Sequence, residues 1–268
     1  MGQHWAMSMG ELTEAVIFDT DGVVTRTATV HEAAWRALFD RYLRERDGAG
    51  FAPFSGEDYR QYVDGKPRYD GVASFLASRG ISLERGSPDD DPARETICGL
   101  GNRKNTFFLD ELRRHGAAPY ESTLALVQRL HVLEIPAAVV SASENCAAVL
   151  EAAGAAGLFE VRVDGLDAAA LGLPGKPDPA LFLEAACRLD VEPGACTVVE
   201  DALAGVEAGR RGGFGVVIGV DRTGHPEALA EHGADIVVAD LSWLGVSDDR
   251  RWQWVEPAPE AREVSSGG

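Results

Sequence analysis

Short unbroken apolar runs alternate with Ala-rich amphipathic stretches from about Pro119 onward. The runs fall at the Ala137–Val140 region, Phe159–Val163, Thr197–Val199, Gly215–Val220 and Ile236–Val238. That alternation predicts parallel βα units, hence an α/β chain with a parallel sheet. Ala15–Phe18 adds one more strand, but a long segment of different character separates it from the others. Within that segment helical spacing recurs at 31–39, 72–77 and 106–112, so it reads as a small helical domain inserted after the first strand. The polar, Gly/Pro-marked stretches 63–69 and 85–92 read as loops between its helices. We find no internal repeat.

Composition narrows the partners. The 268 residues are 45% hydrophobic, enough for a real core, and carry a formal net charge of -18 with a pI near 4.7. So acidic a surface repels phosphate polymers and anionic headgroups, which argues against nucleic acid and membrane as partners. Any phosphate it binds must be drawn in locally. Cys98, Cys146, Cys187 and Cys196 fall far apart without CxxC spacing, and the first ten residues lack a signal pattern, which fits a reducing cytoplasm. No run approaches the roughly 20 apolar residues that a membrane-spanning helix needs. A cytoplasmic protein, monomer or weak dimer, is expected.

Four polar clusters stand at the ends of predicted strands. Asp19 and Asp21 lie at i and i+2, so in an extended strand they project from one face beside Gly22. Two carboxylates so placed need a cation, and magnesium is the hard ion that works with one or two carboxylates and a substrate phosphate. Taken alone, the pair also reads as two turn aspartates before a glycine. Ser141, in Val139-Val-Ser-Ala-Ser143, offers a hydroxyl and free amides to a phosphate, or caps the helix that follows. Lys176, in Gly175-Lys-Pro-Asp-Pro179, sits where prolines bar helix and strand, so it is a fixed ammonium for a phosphoryl group or a solvated loop lysine. Glu200 and Asp201 end another strand and either join a polar site or cap the next helix. The set carries more weight than any member, because the strand ends of an open parallel sheet converge on one crevice.

In the clusters Asp19-Thr-Asp-Gly-Val23, Ser141, Lys176 and Glu200-Asp201, and in their order, the sequence resembles the haloacid dehalogenase superfamily of phosphotransferases. Asp21 to Trp35, Gly65-Lys-Pro-Arg68 and Ser141-Ala-Ser-Glu-Asn145 are similar to the pattern of its β-phosphoglucomutase group, over roughly residues 12–242. The resemblance implies a Rossmann-like three-layer core with a parallel sheet, plus an inserted helical cap domain. The boundaries expected are 1–27 and 118–245 for the discontinuous core, 28–117 for the cap, and 246–268 for a C-terminal tail, partly disordered. It further implies Asp19 as nucleophile, forming an aspartyl phosphate, and Asp21 as general acid/base. Mg2+ would be bound by Asp19, the main-chain carbonyl of Asp21, and Asp201, with help from Glu200. Ser141, the Ala142 amide and Lys176 would hold the transferring phosphoryl group. Arg68 would grip a second phosphate with Ser143 and Asn145, while His31 and Trp35 lie near the hinge and sugar, and Gly65 and Lys66 belong to the same cap loop.

Three positions depart from that pattern. Glu144 stands where the group commonly carries lysine, which should weaken the distal phosphate grip unless the side chain turns away or Lys66 offsets it. Arg26 replaces an acid and Asp64 a basic residue, as if charges had been exchanged between the two domains. The substrate implied is a small phosphorylated sugar, and the leading expectation is interconversion of β-glucose 1-phosphate and glucose 6-phosphate. A sugar-phosphate phosphatase of the same superfamily is the close alternative, since the same intermediate is hydrolysed once water is admitted. A non-enzymatic phospho-receiver or scaffold fits less well, because a switch has no need of the helical insert.

Overall fold

The computed structural model describes residues 11–256. The strands are β1 (Ala15–Asp19), β2 (Ala137–Val140), β3 (Val161–Val163), β4 (Cys196–Glu200), β5 (Val216–Val220) and β6 (Ile236–Val238). They form one sheet in the order β3-β2-β1-β4-β5-β6, every neighbouring pair parallel. β2 and β5 carry no polar residue because both of their faces are covered, whereas the edge strand β3 carries the exposed Arg162. Alternate residues of β1 enter different cores. Val16 and Phe18 pack with Leu126, Val127 and Leu130, whereas Ala15 and Ile17 pack with Leu181, Phe182 and Val206. Three layers result.

The helices are α1 (Ala28–Asp47), α2 (Gly56–Asp58), α3 (Arg68–Ser78), α4 (Ile97–His115), α5 (Glu121–Val132), α6 (Cys146–Ala152), α7 (Gly165–Leu171), α8 (Ala180–Leu189), α9 (Leu203–Arg211) and α10 (Pro226–Glu231). Those between β1 and α5 enclose an apolar cluster of their own, built on Trp35, Leu38, Phe39, Val72, Phe75 and Leu100. A smaller cluster of Ala34, Phe108, Leu112 and Val149 joins α1 and α4 to α6. No helix among the described residues is long and apolar enough to cross a membrane.

Several expectations need correction. The helices expected at 31–39 and 106–112 are the centres of far longer ones, α1 and α4, whose outer turns are charged because one face meets solvent. The loop expected over 63–69 ends early, since Arg68 opens α3. Phe159 precedes β3 rather than lying in it. The tail expected from 246 starts as an antiparallel pair, β7 (Leu244–Val246) with β8 (Trp252–Trp254). Trp252 is buried there and its indole donates to Thr197 Oγ1 at 2.8 Å. The expected disorder beyond it falls on residues 257–268, outside those described.

Candidate active site

Strand order reverses direction between β1 and β4: the chain builds outward from β1 through β2 to β3, then returns to add β4 on the other side. At such a switch point the carboxyl ends of the two strands part and leave a crevice. β1 ends there on Asp19 and β4 on Glu200. A cavity of about 390 Å³ fills that crevice, roofed by the helical segment, which is within the size range of small-molecule sites. A second hollow of about 430 Å³ near His131, Glu134 and Glu160 lies at the amino edge of the sheet and holds no lysine or serine.

Asp19, Asp21, His31, Trp35, Gly65, Lys66, Arg68, Ala142, Ser143, Asn145, Lys176, Glu200 and Asp201 all line the cavity. Ser141 does not. It is buried behind the wall, where its Oγ accepts the Ser143 amide at 3.1 Å and so shapes the turn that presents Ala142 and Ser143. The Lys66 ammonium donates to Ser74 at 2.9 Å rather than to any acid of the crevice. Trp35 has a double position, since it belongs to the apolar cluster and stacks on Phe39 at 5.3 Å between centroids.

Lys176 is the hub. Its ammonium donates to Asp19 Oδ1 and to Glu200 Oε1 and lies over the Phe182 ring. Burial alone would lower its pKa, but the two carboxylates outweigh burial and keep it charged. Burial raises the Asp19 carboxyl well above the usual range, with Lys176 opposing and Glu200 and Asp21 adding to the rise. Glu200 also accepts the Ala202 amide at 2.6 Å, and it fits only because residue 205 is glycine, where a Cβ would stand 1.8 Å from Glu200 Oε1.

Asp21 sits in the turn after β1, closed by Gly22 N donating to Thr25 O at 2.7 Å. Gly22 has φ +88°, and a Cβ there would stand 1.8 Å from Asp201 Oδ2, so only glycine admits both the turn and the acid. The Thr27 hydroxyl donates to Asp21 Oδ1 at the entrance to α1. Asp201 is raised well above the usual range by burial, then by Glu200, Asp64 and Asp19, with Arg222 pulling against them. Arg222 Nε donates to Gly22 O at 2.8 Å, and its guanidinium stacks on Tyr120 at 3.7 Å. It braces the turn from outside.

These crowded carboxylates fit a hard divalent cation, because burial and mutual repulsion strain them as a set. Among the described residues no three acidic, histidine or cysteine side chains form a cage by themselves; Asp19 and Glu200 turn to Lys176, and Asp21 to Thr27.

Two lining residues, Lys104 and Asn105, carry no motif in the sequence, and a third, Asp64, stood out there only as a departure in charge. Lys104 donates to His31 Nδ1 at 2.8 Å and lies 5.0 Å from the Trp35 centroid. Burial and the Arg68 charge lower it to about 7. Its signal was a lysine on the apolar stripe Leu100, Lys104, Phe108, Leu112. Since an ammonium only donates, His31 Nδ1 accepts and Nε2 carries the hydrogen, 3.5 Å from Asp21 Oδ1. Burial and Lys104 drive His31 down to about 3, so it is neutral. Asp64, held by Tyr59, is raised to about 7 by burial and by Glu200. Asn105 accepts from Asn145 at 2.7 Å.

Comparison with known proteins bears on the family and the fold. A family model described as haloacid dehalogenase-like hydrolase matches residues 13–213. The chain is 46% identical over 245 residues to a β-phosphoglucomutase of Mycobacterium bovis, covering 89% of this chain and 94% of that one. It is 30% identical to a β-phosphoglucomutase of Bacillus subtilis, over 86% and 91% of the two chains. A crystal structure of β-phosphoglucomutase from Clostridium difficile shares the fold with a TM-score of 0.68 at 24% identity, covering 86% of this chain and 92% of that one. The chain belongs to the haloacid dehalogenase-like hydrolase family, in its β-phosphoglucomutase-like group.

Proposed function

We propose that the protein is a magnesium-dependent β-phosphoglucomutase, converting β-glucose 1-phosphate to glucose 6-phosphate through a phosphoryl group held on Asp19. One observation supports this reading: Asp19, Asp21, Lys176 and Arg68 line one roofed cavity, and the Lys176 ammonium donates to Asp19. With one oxygen of Asp19 bonded to Lys176, the other is free to attack phosphorus in line. Asp21, oriented by Thr27, protonates the leaving sugar oxygen and later takes the proton from the returning hydroxyl. Lys176 and the amide of Ala142 hold the phosphoryl oxygens, and Ser141, whose hydroxyl accepts the Ser143 amide, shapes the turn that presents that amide. Asp19, the carbonyl of Asp21, and Asp201 hold magnesium with help from Glu200. The ion supplies charge neutralisation that lets a carboxylate approach an anionic phosphate.

The helical segment, residues 28–117, acts as a cap over a core of 1–27 and 118–245. His31 and Trp35 stand on α1 near the hinge, and closure keeps water from the phosphorylated aspartate. The substrate is a small sugar phosphate rather than a nucleic acid or membrane, and the protein works in the cytoplasm as a monomer or weak dimer. One contact favours a phosphatase as the second reading: Arg68 is paired with Glu144, which weakens a second-phosphate grip.

Phosphorus NMR of β-glucose 1-phosphate with magnesium and a trace of glucose bisphosphate tests the choice. Glucose 6-phosphate should accumulate. Inorganic phosphate accumulating with no isomer would establish the phosphatase instead.

A further inference from the structure

Arg68 and Glu144 meet across the cavity. Arg68 opens α3 in the helical segment, and Glu144 stands on the turn between β2 and α6. Arg68 Nη2 lies 2.8 Å from Glu144 Oε2, with the side chains 14% and 39% exposed. Arg68 also donates to Asn102 Oδ1 at 3.4 Å and lies 5.6 Å from the Tyr69 centroid. Its charged partner is therefore a carboxylate supplied by the protein itself.

The position of Glu144 is built into the backbone. Gly165 presses on the turn so closely that a Cβ there would stand 2.7 Å from Glu144 N and 2.9 Å from Ala142 O. Gly165 N donates to Ser143 O at 3.2 Å. Next along the chain, Asn145 bonds Asn105 of α4 at 2.7 Å, tying the same two layers together.

We propose that Glu144 is a specificity-determining residue whose carboxylate competes with the substrate's non-transferring phosphate for Arg68. This rests on the phosphotransferase reading above. With its Glu144 side chain 39% exposed the carboxylate can turn out to water, so the pair is exchangeable, and a phosphate dianion outcompetes a carboxylate for a guanidinium because it brings more charge and more acceptor oxygens. A hydroxyl or a monoanion does not. Glu144, once displaced, remains beside the bound dianion and repels it, so every phosphorylated ligand is held less firmly at this end.

The test is Glu144→Gln, with and without Arg68→Ala. Removing the charge should tighten glucose 6-phosphate about fivefold, measured by calorimetry in the non-turnover Asp19→Asn protein with magnesium. In the active protein KM for β-glucose 1-phosphate should fall by more than kcat changes. Both effects should vanish in the Arg68→Ala background. Affinity that is unchanged or weakened, the same tightening without Arg68, or no measurable binding in either protein would overturn the proposal. Since the calorimetry needs no isomerisation, a chain that only hydrolyses its substrate would sink the mutase reading while leaving this comparison decisive.

Discussion

Lys104 is only 5% exposed, and its ammonium sits between His31 and the rings of Trp35 and Phe108. Burial lowers its pKa from 10.5 to about 7. Between those values the unfolded chain keeps a proton that the folded chain releases, so this residue's penalty on folding is full below pH 7 and fades as pH rises towards 10.5. Lys104→Met fills similar space without the charge. The variant should be more stable than the parent at pH 6.5, and urea midpoints should show that margin shrinking by at least about 1 kcal/mol at pH 9.5. A margin that is constant or grows would mean that the ammonium is better solvated than its surroundings imply. Lys104 was hidden in the sequence because a lysine on an apolar stripe reads as a snorkelling side chain until the helix opposite is known. Asp19 and Glu200 were legible because each closes a strand, and strand ends in a parallel sheet meet without any knowledge of packing; Lys176, expected at a strand end, instead lies in the loop between α7 and α8.

At the scale of elements, strands and site clusters were read more accurately than helix lengths. β1, β2 and β6 stand where the apolar runs put them, since burial on both faces leaves a continuous signal. α1 ran on through Asp40–Asp47, where charges on the solvent face hide helical periodicity. The β7–β8 hairpin escaped because three-residue strands give almost no pattern; the alternation Trp252-Gln-Trp254 was its one trace. Yet this hairpin plugs the core beneath β4. Trp252 is 1% exposed and bonds Thr197, so Trp252→Ala should cost about 3–5 kcal/mol in urea unfolding, with kcat/KM of the folded protein unaltered. A loss below about 1 kcal/mol would show that the hairpin merely rests on the sheet.

For the whole molecule, the question is how the helical layer meets the sheet. Gly175 touches Pro67 so closely that a Cβ would stand 2.2 Å from Pro67 Cδ, while Gly65 approaches Ala202 and Ala204. These contacts seat the 64–68 loop on the Lys176 loop and close the cavity. Such fitting between distant segments leaves no mark in local sequence, which is why Arg68, Asn145 and Glu144 could be named by resemblance while the pairings of Arg68 with Glu144 and of Asn145 with Asn105 could not. Gly175→Val should prop the layers apart and admit water. In phosphorus NMR the ratio of inorganic phosphate to glucose 6-phosphate should rise at least about tenfold, because a water-excluding closure is what separates transfer from hydrolysis. An unchanged ratio would locate water exclusion elsewhere.

The central claim, that Asp19 carries the phosphoryl group, is tested most directly by mass spectrometry of the protein after brief exposure to glucose bisphosphate and magnesium. Wild-type protein should gain one phosphoryl group on the peptide containing residue 19, and Asp19→Asn should gain none while losing at least about 10⁴-fold in kcat. Phosphate found on another residue, or an active Asp19→Asn protein, would contradict it.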